Sequence, residues 1–131
     1  METKYYTPSI EEFHIGFELE YLGDRDENNN RWHTLFIKDI EDLRFTILGK
    51  PADRFRVKYL NQEDIESLGF KTVYNNIKNT IYGQLGGYYI DYTSANLYCK
   101  IHTMEDTLFI GKIKNKSELR KLMLQISFLN D

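Results

Sequence analysis

The sequence predicts an α+β fold: an antiparallel β-sheet with short helices and a C-terminal amphipathic helix packed on one face. Three observations predict it. Short segments alternate apolar and polar residues, as in Phe17, Leu19, Tyr21 and in Phe55, Val57, Tyr59, the period of half-buried strands. Glycine and asparagine clusters punctuate them. The chain then closes on Leu119, Leu122, Met123, Ile126 and Leu129, a stripe at helical spacing that must cover a sheet face or a partner. With 131 residues, the whole of 1–131 reads as one α+β domain.

The elements follow in order. Thr7-Pro8-Ser9-Ile10-Glu11-Glu12 reads as a helix start, with Thr7 as cap and Pro8 in the first helical position. A strand through Phe17–Tyr21 and another over Arg31–Lys38 suit a long-looped hairpin, with residues 23–30 as polar loop. Asp39 to Leu43 has helical composition, whereas Phe45-Thr46-Ile47-Leu48 favours a strand, so both assignments stand there. Gly49-Lys50-Pro51 breaks the chain. A strand with the basic face Arg54, Arg56, Lys58 follows. Asn61 to Gly69 is a short helix, capped by Asn61 and stopped by Gly69, and a strand leaves it over Phe70–Tyr74. Strands are expected near 81–85 and 87–92, with turns at Asn75-Asn76 and Gly86-Gly87. Leu97–Thr103 and Thr107–Ile113 form a hairpin. Asn115 caps the last helix, with Glu118 reaching back.

Composition narrows the function classes. One cysteine, Cys99, excludes an internal disulfide and a cysteine-rich zinc site and suits a reducing, intracellular compartment. The opening METKYYTPSIEEF has no apolar run behind a basic start, so no secretory signal is expected. No stretch approaches the roughly 20 apolar residues of a membrane span, so no membrane partner is expected. The net charge is −3. Acids exceed bases in residues 1–70 and bases exceed acids in 71–131, most simply an internal complementarity of the two halves.

Three blocks look familiar: YYTPSIEEFHIGFELEY at 5–21, RVKYLNQEDIESLGFK at 56–71 and LFIGKIKNKSELRKLM at 108–123. They resemble a group of small uncharacterised proteins of Bacteroidota phages and prophages. They cover somewhat under half of the chain, in the same order. The resemblance implies a phage gene product in the cytoplasm of a host bacterium. At the level of class it suggests a binding protein that disables a host protein, such as a defence system, in the manner of an anti-CRISPR.

Candidate chemistry is sparse. His14, Glu18, Glu20 and His33 could gather on one strand pair and hold a metal for a hydrolase. Their spacing matches no ligand motif, and a solvated polar face is the stronger reading. Glu18, Glu20, Asp39 and Lys58 imitate the acids and lysine of a nuclease, yet nothing local makes them converge. Cys99 shares a strand face with Leu97 and Ile101 and reads as a buried, inert thiol. Gly83-Gln84-Leu85-Gly86-Gly87 lacks the Gly-Lys-Ser/Thr ending of a phosphate loop. No catalytic residue, metal site or cofactor is therefore expected, and the chain reads as a non-enzyme.

Two surfaces remain. Tyrosine crowds one region, in a chain that is 15% aromatic. Tyr82, Tyr88, Tyr89, Tyr92 and Tyr98 are the candidates for a protein interface, since tyrosine joins rigid apolar area to a hydroxyl. A tyrosine-rich sheet is the competing explanation, and the two weigh about equally. Arg54, Arg56 and Lys58 with Lys112, Lys114 and Lys116 are the candidates for binding a nucleic acid or nucleotide, against a sequence pI of about 5.6. A host protein is thus the first expected partner, nucleic acid the second, and a homodimer a further one.

Overall fold

A computed structural model describes residues 3–22, 31–49 and 54–130; the side chains of 47, 49 and 127–130 lie outside the description. The fold is α+β, with two antiparallel sheets in place of the one expected. The chain divides into two compact units, residues 1–59 and 60–131, and each has a sheet and core of its own.

The first unit is built on a four-stranded sheet of order β1-β4-β2-β3. Its strands are β1 (Tyr5–Tyr6), β2 (Glu18–Leu22), β3 (Trp32–Phe36) and β4 (Phe55–Lys58). The alternation in β4 puts Phe55 and Val57 in the core with Phe17, Leu19 and Ile37. Arg56 and Lys58 take the opposite face, as their period of two requires. The start near Thr7 is a single 3₁₀ turn, Ile10–Glu12, and its cap is Ser9 rather than Thr7. The Ser9 N–H donates to Glu12 Oε2 at 2.8 Å.

The ambiguous stretch after Asp39 is a helix, α1 (Ile40–Gly49). Local capping outweighs the strand propensity of Phe45-Thr46: Asp39 Oδ1 accepts the Asp42 N–H at 2.8 Å. Phe45 and Leu48 remain exposed on it. The loop expected at 23–30 and the break at Lys50-Pro51 lie outside the described residues.

The second unit begins with α2 (Gln62–Ser67). Asn61 caps it, accepting the Asp64 N–H at 2.9 Å, and Gly69 at φ +110° ends it. Five strands then run as a meander, each paired with its chain neighbour. They are β5 (Lys71–Asn75), β6 (Thr80–Leu85), β7 (Tyr88–Thr93), β8 (Tyr98–His102) and β9 (Thr107–Lys112). Gly86-Gly87 makes the two-residue turn between β6 and β7, with Gly86 at φ +58°, the conformation such hairpin turns demand.

The last helix, α3 (Lys116–Asn130), starts where the sequence puts it. Asn115 Oδ1 accepts the Glu118 N–H at 2.9 Å, and Glu118 reaches back to the Asn115 side-chain amide. Leu119, Leu122, Met123 and Ile126 of the α3 apolar stripe pack on the inner face of the sheet. Leu119 and Ile126 are buried there, with Ile65 of α2 and with Ile81, Ile90, Tyr92, Cys99 and Ile101. Among the described residues no helix is long and apolar enough to cross a membrane.

Candidate functional site

The other face of the five-stranded sheet lies outside this core. In β7, Ile90 and Tyr92 are buried, so Tyr88 shares their inward side. Tyr89, Asp91 and Thr93 then point outward. The cross-strand register carries this alternation across the sheet. One outer row runs Val73, Tyr82, Asp91, Lys100, Ile110. A second runs Lys71, Gln84, Tyr89, His102. A third runs Asn75, Thr80, Thr93, Tyr98, Lys112.

Tyr82, Tyr89 and Tyr98 therefore stand on one face, on three adjacent strands. Tyr89 lies flat on the His102 imidazole, with ring centroids 5.4 Å apart and 19° between the planes. Its hydroxyl points to Met104 Sδ at 3.7 Å. His102 Nε2 is 3.5 Å from Asp91 Oδ1. Aliphatic groups flank this cluster: Val73 is 69% exposed and Ile110 61%.

The other two candidate tyrosines do not belong to this surface. Tyr92 is fully buried and donates its hydroxyl to the Ile113 carbonyl at 3.2 Å. Burial makes it a core residue, with no area to offer a partner. Tyr88 also faces inward and lines a cavity beneath α3. Sequence alternation could not sort these rings, because tyrosine occupies both faces of β7.

The basic candidates divide between the two units. Arg54, Arg56 and Lys58 belong to the first unit, and Lys112, Lys114 and Lys116 to the second. Arg56 is committed within its own sheet. Its Nη2 lies 2.8 Å from Glu20 Oε1, and its Cζ sits 3.6 Å from the Tyr5 ring centroid and 4.3 Å from that of Trp32. A phosphate would have to displace a carboxylate there. Arg54, Lys58 and Lys114 also make interactions within the fold. Lys112 stands on the tyrosine face beside Tyr98.

The acid and imidazole candidates for a metal do not converge. Thr34, not His33, pairs with Glu20, and His33 pairs with Tyr21. Since neighbours on a strand face opposite ways, His33 lies on the other side of the sheet from Glu18 and Glu20. Its ring packs on Tyr21 at 5.4 Å. His14 is held apart, with Nδ1 2.7 Å from the Glu12 carbonyl and its ring against Phe17. Among the described residues no three His, Cys, Asp or Glu groups are placed to hold a metal ion.

Cys99 is buried in the core, and its thiol is pushed up to about 12 by desolvation and, secondarily, by the Asp91 charge. A thiol so held is a poor nucleophile. The glycine run is architectural: a Cβ on Gly83 would stand 2.7 Å from Ile90 Cγ2 and 3.2 Å from Phe70 Cβ.

Sequence reasoning missed His102, Asp91, Val73 and Ile110 as members of the outer face. The signal was present in the register. Counting outward from the Gly86-Gly87 turn pairs Tyr82 with Asp91 and Gln84 with Tyr89. Comparisons with protein-family models, curated proteins and solved structures find no match to this chain.

Proposed function

We propose that this is a binding protein that engages another protein through the outer face of its five-stranded sheet. The observation that carries the reading is the joint presence of Tyr82, Tyr89 and Tyr98 with exposed Val73 and Ile110 on one side of the sheet. Tyrosines on the three inner strands, flanked by aliphatic area on the two edge strands, offer the rigid apolar area joined to hydroxyls that protein contacts favour. The resemblance of the three sequence blocks to phage proteins supplies the setting. In that setting the partner is a protein of the bacterial host, met in its cytoplasm, and binding inhibits it.

The test places a photo-crosslinking residue at position 82 or 110 and exposes the protein to host lysate. A discrete crosslinked protein is expected, and the Tyr89→Ala, Tyr98→Ala double variant should weaken its capture about tenfold or more. Equal capture with the double variant retaining a wild-type circular dichroism spectrum would remove this face from the reading. No crosslinked protein at all would remove the protein partner.

A second reading has its own support. Lys71, Lys100 and Lys112 stand on the same face as the tyrosines, which suits base stacking flanked by phosphate contacts. Its signature is a gel shift with single-stranded RNA or DNA that weakens steeply with salt.

A further inference from the structure

The inner face of the second unit holds a feature that the outer-face reading does not use. A cavity of about 270 Å³ opens between α3 and the β6–β7 end of the sheet. Its described walls are Phe70, Leu85, Tyr88, Ile101, Met123 and Ile126, with the Gly86-Gly87 turn beside them. Phe70, Ile101 and Ile126 are buried, so these walls are part of the unit's core. This end is open at the turn: a Cβ at either glycine would meet nothing within 4 Å.

The chemistry of the walls defines what fits. No described wall residue carries a charge, and an ion entering such a site would lose its hydration without compensation. Apolar side chains dominate, and the polar groups available are the Tyr88 hydroxyl and the backbone of the turn. An apolar cavity of about 150 Å³ takes up benzene, and pockets for drug-sized ligands span roughly 300–1,000 Å³. This cavity falls between those sizes. Met123, unbranched and polarisable, lets one wall adjust to its occupant.

We propose that the cavity beneath α3 binds a small uncharged molecule, with an apolar body of one aromatic ring or a short aliphatic chain. Binding there is independent of the outer sheet face.

The test is a titration of the intact chain with indole and, separately, with 1-hexanol, followed by methyl NMR. The methyl signals of Ile101, Ile126 and Met123 should shift saturably, while those of Val73 and Ile110 on the outer face stay in place. Met123→Trp fills the cavity and should weaken the response at least tenfold; Leu85→Phe narrows it from the sheet side and serves if the first variant does not fold. Shifts that grow linearly without saturating, or that move Val73 and Ile110 equally, overturn the proposal. So does a folded filled variant that responds as the wild type does.

Discussion

The Arg56 guanidinium holds the Glu20 carboxylate at 2.8 Å across the β4–β2 pair. Tyr5 and Trp32 both lie against that guanidinium. An exposed ion pair alone contributes about 0.2–1 kcal/mol, and each cation–π contact about 0.5–1 kcal/mol when partly exposed. Arg56→Ala should therefore destabilise the first unit by about 1–3 kcal/mol. Arg56→Lys should recover less than half of this, because an ammonium lacks the flat fork that stacks and pairs at once. Urea unfolding followed by the fluorescence of Trp32, the single tryptophan, measures both.

Gly83 and Gly87 are close in sequence and opposite in their tolerance of a side chain. A Cβ on Gly83 runs into Ile90 and Phe70, whereas one on Gly87 meets nothing within 4 Å. Gly83→Ala should cost about 1–3 kcal/mol through overpacking. Gly87→Ala should stay within about 0.5 kcal/mol of wild type. Chemical denaturation monitored by circular dichroism separates them.

Hydroxyl deletion should distinguish core from surface tyrosines. Tyr92→Phe strands the Ile113 carbonyl that the phenol now serves, at a cost of about 0.5–1.5 kcal/mol. Tyr98→Phe, on the outer face, should change stability by less than about 0.5 kcal/mol. Melting curves of the two variants carry the comparison. Equal losses would contradict the assignment of faces.

Cys99 links stability to alkaline pH. Folding raises its thiol from an ordinary 9.0 to about 12, so the folded state keeps a proton that the unfolded chain gives up. Stability from this group is whole below about pH 9 and is lost as pH climbs toward 12. The urea midpoint of wild type should fall across that window more steeply than that of Cys99→Ala. Iodoacetamide should label the thiol in urea and leave the native protein nearly unlabelled at about pH 8.

Local chemistry was legible in the sequence and long-range pairing was not. The Asn61 and Asn115 caps and the Gly86-Gly87 turn each depend on a few adjacent residues, and all three are where their residue types imply. Phe45-Thr46-Ile47-Leu48 misleads because β-branched and aromatic residues fit strands by propensity, while Asp39 commits the segment to a helix from outside it. The inward and outward sides of β7 were illegible for another reason. Tyr88-Tyr89-Ile90-Asp91-Tyr92 puts large rings on both sides, so polarity does not alternate. Nor could the sequence pair Tyr5 and Tyr6 with Lys58 and Val57, since two residues carry no periodicity.

The strand orders also set a timetable for folding. In β5 through β9 each partner is the next strand along, so the meander can zip up through a series of short loop closures, each of low entropic cost. The four-stranded sheet has no such route, because β1 must wait for β4 at the far end of its own unit. Sequence-distant pairing slows folding. Refolding should accordingly show the second unit gaining protected amides first, with Tyr5 and Tyr6 among the last to acquire protection.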